Sequence, residues 1–179
     1  MTRARLILKC FLSRDRELLF KAYCVYVRPL LEYCSAVWSP HLKCLVVKME
    51  SVQRFFTKRL QGMWNKEYND RLKLLNTHSL EYRRLYSDLV LCFQLLSNGF
   101  NSQLVSALVK STDNRTRGHN LKLIKQSCSV DATKYYFTNR VINAWNSLPS
   151  DIISSPTVTT FKLRLLQHNI SSYLIMFTV

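Results

Sequence analysis

The apolar residues of this chain recur mostly every three or four positions, which is the spacing of one face of an α-helix. The clearest case runs over residues 41–61. Its apolar side chains fall on one arc of a helical wheel: Leu42, Leu45, Val46, Met49, Val52, Phe56, Leu60 and Met63. Gly62 follows where a left-handed C-terminal cap is expected. The pattern therefore predicts a long amphipathic helix.

Similar spacings predict further helices on both sides of this one. We expect them at about 14–27, 30–38, 70–75, 79–97, 102–109 and 132–146, with a last helix that begins at Ser155-Pro156. Ser13, Ser79 and Asp131 are the expected N-caps. Residues 121–125 favour a short extended segment. The prediction is a mainly α fold: a helical bundle followed by a smaller, mostly helical C-terminal segment with at most a short β piece.

A polar, basic stretch that contains Gly118 separates two parts of the chain at residues 110–120. Composition of this kind is typical of a linker. We therefore predict a helical domain at 1–109, a basic linker at 110–120 and a C-terminal helical segment at 121–179. Only 3 glycines and 4 prolines occur, which favours long helices over the frequent tight turns of an all-β fold.

The charge balance is strongly basic, with 26 lysines and arginines against 11 acids and a net charge of +15. Such a charge repels itself unless a polyanion is present. Cations that neutralise backbone phosphates release counterions, which stabilises a complex with nucleic acid. We therefore expect RNA, DNA or an RNA–DNA hybrid as partner. The alternatives are an ordinary solvated basic surface or an anionic membrane surface.

Basic residues cluster at three places. Those of the 41–61 helix lie opposite its apolar arc: Lys43, Lys48, Arg54, Lys58 and Arg59. Phe55 projects among them and would stack a base or a sugar; alternatively it packs against another helix and the charges are only solvated. A second cluster would wrap a backbone or be a flexible basic loop: Arg115, Arg117, Lys122 and Lys125. A third, weaker cluster is Arg3, Arg5 and Lys9.

Catalytic chemistry is not expected of this sequence; a nucleophilic Cys34 near His41 is the alternative, and a buried structural thiol is the expected state of Cys34. Nucleotidyl transfer needs carboxylates that hold two divalent metals close together, and no two acids are adjacent here. Gly-rich phosphate loops are absent and the four histidines are far apart. We expect no catalytic residue, no metal and no cofactor. Six cysteines without a secretory signal are expected to be reduced, small buried residues in cytoplasm or nucleus. Trp38 and Trp145 are expected in the core.

Several blocks occur together in a specific order. The first is Tyr26-Val-Arg-Pro-Leu-Leu-Glu-Tyr-Cys-Ser-Ala-Val-Trp-Ser-Pro40. Blocks follow at 50–60, 68–75, 79–84 and 116–119, and then come Phe137-Thr-Asn-Arg-Val-Ile-Asn-Ala-Trp-Asn-Ser-Leu-Pro149 and residues 161–165. This ordered set resembles the C-terminal, post-palm region of reverse transcriptases from jockey- and CR1-like non-LTR retrotransposons, over nearly the whole chain.

The resemblance implies a thumb-like domain that grips template and primer while a palm domain performs the chemistry. The palm motifs of that family, including the paired aspartates, have no counterpart here, so no catalytic residue is carried over. The expected function is thus a non-catalytic fragment that binds RNA or RNA–DNA hybrid through basic helix faces, with a reverse-transcriptase palm as a further partner. The alternatives are a helical protein-interaction piece or an inert translated relic of a mobile element.

Overall fold

The structure is a computed structural model, and it describes residues 2–97, 108–111 and 119–175. Helices dominate these residues. Within the same ranges, extended pairing is limited to an antiparallel bridge between Lys110 and Leu123. The predicted mainly α fold is therefore confirmed, and so is the short extended piece at 121–125.

The helices are numbered here in chain order. In the first part of the chain they are α1 Thr2–Cys10, α2 Arg16–Tyr26, α3 Arg28–Glu32, α4 Ser35–Trp38, α5 Lys43–Lys58, α6 Tyr68–Leu74 and α7 Leu80–Ser97. Then come α8 Asp131–Lys134, α9 Phe137–Asn146, α10 Ser150–Ile153 and α11 Val158–Gln167, with a 3-10 turn at Ser171–Tyr173.

The chain divides into two compact units. Unit 1 contains residues up to 35 together with 40–84, and unit 2 contains residues 36–39 together with the described residues from 85 onward. The predicted division at 110–120 differs from this grouping and stays a prediction. Most of that linker, and most of the helix predicted at 102–109, lies outside the described residues.

The core of unit 1 is built around the apolar arc of α5. Phe56 is fully buried and stacks on Tyr23 of α2 with ring centroids 4.8 Å apart. The same core contains Ala4, Ile7, Leu19, Ala22, Val27, Val52, Leu60 and Met63. Leu42 and Leu45 are exposed, so the predicted arc is wrong at its start, because these residues precede the part of α5 that reaches the core.

A buried carboxylate lies at the centre of unit 1. Glu50, on α5, is fully buried. Its two carboxylate oxygens accept from the backbone N–H of Leu80 at 3.1 and 3.0 Å, and its Oε1 also accepts from the Tyr68 hydroxyl. Leu80 is the first residue of α7, whose free N–H groups need acceptors. Burial raises the pKa of the Glu50 carboxyl, and the hydrogen bonds from Tyr68 and Leu80 oppose that shift.

Gln53 extends this buried polar network by one helical turn. Its Oε1 accepts from the Tyr23 hydroxyl at 3.2 Å. Its Nε2 donates to the Tyr68 hydroxyl and to the backbone carbonyl of His78, both at 3.0 Å. Because Gln53 is fully buried, each unmade bond would leave a desolvated polar group. The network therefore fixes α5 relative to α2, α6 and the start of α7.

Unit 2 has a core of aromatic side chains. Trp145 and Phe161 are fully buried, and Phe161 stacks on Phe93 with centroids 4.2 Å apart. The Trp145 indole N–H donates to the backbone carbonyl of Leu121 at 2.8 Å. The inward side predicted for the helix before Pro149 is confirmed, since Phe137, Val141, Ala144, Trp145 and Leu148 are all buried.

Two of the predicted caps have different outcomes. Ser79 caps α7, because its hydroxyl accepts from the N–H of Tyr82 at 3.1 Å. Ser13 is the wrong cap for α2. The helix begins at Arg16, and the Asp15 carboxylate accepts from the N–H of Leu18 at 2.8 Å. A carboxylate there also faces the positive end of the helix dipole, which favours it over a hydroxyl.

The predicted start of the last helix is wrong by two residues. Thr157 is the N-cap of α11, and its hydroxyl oxygen accepts from the N–H of Thr160 at 3.2 Å. Ser155 is buried instead, and its hydroxyl donates to the carbonyl of Ile152 at 2.6 Å. That hydroxyl belongs to the preceding turn, so it does not cap the following helix.

Two predicted helices are interrupted. The helix expected at 132–146 is α8 and α9, separated where the backbone of Tyr136 is extended. Asp131 is the first residue of α8, and not its cap. The helix expected at 30–38 is divided between α3 and α4, because Cys34 adopts a positive φ of 51°. Gly62 has the expected left-handed backbone, with φ at 73°.

Trp38 and several thiols are more exposed than expected. Trp145 is in the core as predicted, but Trp38 is 38 % exposed. It is the last residue of the four-residue helix α4 and is followed by Ser39 and Pro40. Among the cysteines, Cys92 is buried whereas Cys10, Cys34 and Cys44 are exposed, so the prediction of buried thiols is wrong for these three.

Replacement of Glu50 tests the buried carboxylate through pH. Because burial raises its folded pKa above the unfolded value of about 4.3, the folded state holds this proton to higher pH. The stability that protonated Glu50 contributes is complete below that value and is lost as pH rises through the folded pKa. We expect the free energy of unfolding of the wild type minus that of Glu50→Gln to fall as pH rises above about 4.3.

Urea unfolding followed by circular dichroism at several pH values measures this difference. Glu67→Gln is the matched control, since Glu67 is exposed and precedes α6. A difference that stays flat or rises with pH for Glu50→Gln would contradict the prediction and show that hydrogen bonding outweighs burial.

Candidate nucleic-acid interface

The exposed side of α5 is a surface of cations without an acid. Each of its five predicted binding cations is exposed, as the helical pattern requires: Lys43, Lys48, Arg54, Lys58 and Arg59. Glu50 is the single acidic residue between Lys43 and Lys58, and it is buried. We call these five cations together with Phe55 the cationic face. Nothing of negative charge on α5 itself offsets them.

Most of these cations are not engaged by carboxylates. Ion pairs in the described residues include Arg83 with Glu32 in unit 1 and Arg140 with Asp88, at 2.9 Å, in unit 2. Across 2–97, 108–111 and 119–175, no carboxylate pairs with Lys48, Arg54, Lys58 or Arg59. Their charges are therefore available to an anionic ligand.

Phe55 lies under guanidinium groups. Its ring is half-buried, and the guanidinium carbon of Arg59 lies 3.6 Å from the ring centroid. Arg59 also donates to the backbone carbonyl of Phe55 at 3.1 Å. The guanidinium carbon of Arg5, from α1, lies 5.5 Å from the same centroid. The ring thus supports two cations by cation–π attraction, and a base would have to displace them before it stacked there.

The contact of Arg5 brings α1 beside the cationic face. Ala4 and Ile7 of α1 are buried in the same core as Phe56. Arg5 and Lys9 are exposed one helical turn apart. Arg3 is exposed as well. The third basic cluster of the sequence is thereby joined to the first, which the sequence pattern could not reveal because 38 residues separate Arg5 from Lys43.

A further arginine meets the C-terminal end of α5. Arg71, on α6, is buried and donates to the carbonyl of Arg54 at 2.8 Å and to the Thr57 hydroxyl at 3.0 Å. The ring of Tyr68 has the guanidinium of Arg54 at 4.6 Å and that of Arg71 at 5.3 Å. Burial lowers the pKa of Arg71, and the charge of Arg54 lowers it further.

Sequence reasoning missed both Glu50 and Arg71. In a helical pattern each looks like an ordinary solvated charge, because charged residues are rarely buried. The signal that was available is weak: Glu50, Gln53 and Thr57 follow one another at helical spacing beside the apolar arc. Their burial becomes evident only through partners from other helices.

The second predicted cluster is only partly described. Arg115 and Arg117 lie outside the described residues. Lys125 is exposed and Lys122 is half-buried. The carbonyl of Lys122 accepts from the N–H of Ser111 at 2.8 Å, within the extended pairing next to the Lys110 bridge. The structure thus places the two lysines on a short extended segment, and their role in binding stays a prediction.

His119 and His78 have structural contacts. The Nε2 of His119 lies 3.2 Å from the carbonyl oxygen of Trp145, and burial lowers the pKa of His119. Burial also lowers the pKa of His78, whose ring stacks on Tyr82 at 4.2 Å. Within the described ranges, no three His, Cys, Asp or Glu side chains are grouped as a metal site would need. In the same ranges no helix has the length and apolar character to cross a membrane.

Comparison with known proteins gives one informative match and no activity. No family model matches the chain, and no solved structure matches it. An uncharacterized protein of Caenorhabditis elegans is 34 % identical to it over 113 residues, which is 62 % of this chain and 57 % of that protein. The chain therefore spans little more than half the length of this relative. Any functional assignment has to come from the surface chemistry.

Single lysines of the cationic face are expected to contribute little to stability. Lys58→Ala should change the free energy of unfolding by less than about 0.5 kcal/mol, as is usual for exposed positions. Arg71→Ala should lower it by roughly 1–3 kcal/mol, because its loss leaves the Thr57 hydroxyl and the Arg54 carbonyl without their donor.

Chemical denaturation of the three proteins at one ionic strength measures this. Each variant loses one positive charge near the C-terminal end of α5, so Lys58→Ala is the control for charge alone. Equal destabilisation by both changes would show that Arg71 has no structural role of its own.

Proposed function

We propose that this chain is a non-catalytic, nucleic-acid-binding piece that holds RNA or an RNA–DNA hybrid through the cationic face of α5. It would correspond to the template- and primer-gripping thumb of a retrotransposon reverse transcriptase, which the ordered blocks resemble. The observation that carries the proposal is the exposure of all five cations while the single acid of α5 is buried. Such a partner is met in the cytoplasm or nucleus, where we expect the chain to act.

The dimensions of α5 suit contact with a phosphate backbone. The helix has 16 residues and is therefore about 24 Å long. One strand of a duplex carries a charge about every 3.4 Å along its axis, so cations spread over this helix face several phosphates at once. Contacts of this kind position a nucleic acid without reading its sequence. Because the guanidinium groups of two arginines lie over the ring of Phe55, this face is better suited to contact with the phosphate backbone than to stacking of a base.

The second candidate is a protein-interaction piece, and one observation favours it. Unit 1 exposes several large apolar side chains on α2, on α3 and just after it: Val25 at 56 %, Tyr26 at 60 %, Leu30 at 54 % and Tyr33 at 77 %. Clustered apolar residues on a surface are typical of a contact with another protein. In the resemblance that partner would be the palm domain, and the two candidates are compatible.

Titration of a labelled RNA–DNA hybrid followed by fluorescence anisotropy tests the first candidate. We expect micromolar or tighter binding that weakens steeply with salt. The triple variant Arg54→Ala, Lys58→Ala, Arg59→Ala should lower the affinity by about tenfold or more at moderate salt, because contacts to phosphates are lost.

A matched triple variant controls for net charge. Lys21, Lys134 and Lys162 are exposed on α2, α8 and α11, and their replacement by alanine removes the same three charges from other surfaces. Equal losses in the two triple variants would mean that net charge alone governs binding and that α5 is not the interface. No binding by the wild type at low salt would favour the interaction or relic alternatives.

A further inference from the structure

We infer that Arg54, Lys58 and Arg71 form a seat for one backbone phosphate at the C-terminal end of α5. This inference rests on the proposed function and deepens it, because it assigns a particular ligand group to particular residues. Arg54 and Lys58 would touch the phosphate, and Arg71 would act behind them as a positioning residue.

The three cations converge from two helices. Arg54 and Lys58 are four residues apart on α5, so their side chains emerge next to each other. Arg71 reaches the same place from α6, where it donates to the backbone carbonyl of Arg54 at 2.8 Å. The ring of Tyr68 is shared between the guanidinium groups of Arg54 and Arg71. The aromatic face partly offsets the repulsion between them.

One donor of Arg71 is unsatisfied. Its Nε is shielded from solvent and makes no hydrogen bond within the described part of the chain, although the residue is only 6 % exposed. Buried donors of this kind are rare and commonly mark the place of an ion or water. Burial and the neighbouring charge of Arg54 both lower the pKa of Arg71, which is the expected result where cations lack a compensating anion.

Without an anionic ligand, the positive charges of Arg54, Lys58 and Arg71 destabilise the folded protein. Like charges four residues apart on a helix destabilise it, and a buried charge is ordinarily paired. In the described ranges no carboxylate pairs with Arg54, Lys58 or Arg71. An oxyanion held by Arg54 and Lys58 would supply the missing negative charge.

A phosphodiester suits the seat better than an isolated carboxylate. Guanidinium forks bind phosphate and carboxylate alike, but this seat continues into the cations of Lys48 and Arg59 along the same helix. A ligand with regularly repeated negative groups, such as the backbone of a nucleic acid, pairs with several of these cations at once. An acidic peptide is the competing ligand that the experiment has to exclude.

The number of phosphates can be counted from the salt dependence of binding. Each lost phosphate contact lowers the slope of log affinity against log salt by about one. Because Arg54 and Lys58 share one phosphate in this arrangement, the double variant Arg54→Ala, Lys58→Ala should lower the slope by about one. The matched double variant Lys48→Ala, Arg59→Ala loses the same charge from the same face. Its residues are eleven positions and about 16 Å apart, so it should lower the slope by about two.

The outcomes separate the two proposals. If the wild type does not bind the hybrid, the proposed function fails and the phosphate seat fails with it. If the wild type binds but the Arg54, Lys58 double variant lowers the slope by about two, those residues contact separate phosphates and only the seat is overturned. Competition by polyglutamate as strong as by the unlabelled hybrid would overturn the assignment to phosphate.

The role of Arg71 in the phosphate seat is tested by a measurement that a purely structural role would not affect. We expect inorganic phosphate to raise the Tm of the wild type more than chloride does at equal ionic strength, because it binds the folded seat. Arg71→Lys keeps the charge but loses the fork, so this extra rise should disappear. An equal rise in the wild type and in Arg71→Lys would remove Arg71 from the seat.

Discussion

The arrangement of unit 1 depends on the carboxylate of Glu50, which is fully buried and accepts hydrogen bonds from two other helices. A desolvated carboxylate is tolerated only where donors surround it, and here they come from the hydroxyl of Tyr68 and the first N–H of α7 at Leu80. The carboxylate of Glu50 therefore caps α7, bonds to α6 through Tyr68 and fixes the rotation of α5 about its axis. A rotation of α5 that brought Glu50 to solvent would break its bonds to both Tyr68 and Leu80.

This constraint divides α5 into three stripes. One stripe is apolar and packs against Tyr23, a second is polar and buried, and a third is cationic and exposed. Thr57 ends the polar stripe, where its hydroxyl donates to the Gln53 carbonyl at 2.8 Å and accepts from Arg71. The surface that we assign to nucleic acid thus lies above a buried network of polar groups from α5 and α6. This network fixes the helix that carries the long cationic side chains, which favours simultaneous contacts to several phosphates of a nucleic-acid backbone.

Sequence alone predicted the long helices and the exposed residues of α5, but not the buried polar network beneath those residues. A sixteen-residue helix repeats its apolar spacing often enough for the pattern to be unambiguous, and the cationic face follows as the complement of that arc. Helices of four residues, such as α4 and α8, carry too little periodicity, so their limits and the exposure of Trp38 were missed. Glu50 and Arg71 were missed for a different reason. Their burial depends on partners from other helices, and such long-range pairing leaves no local pattern.

The position of Glu50 means that net charge is a poor guide to the surface potential of this helix. A chain with Lys48 and Glu50 exchanged would have the same composition, the same isoelectric point and the same helical spacing. It would place an ammonium group beside the N–H of Leu80, where only an acceptor fits, and a carboxylate at an exposed position of the cationic face. Two sequences with the same composition and the same isoelectric point would then differ both in folding and in the ligand that they bind. Relatives of this chain are accordingly better compared by the register of their charges than by the number of them.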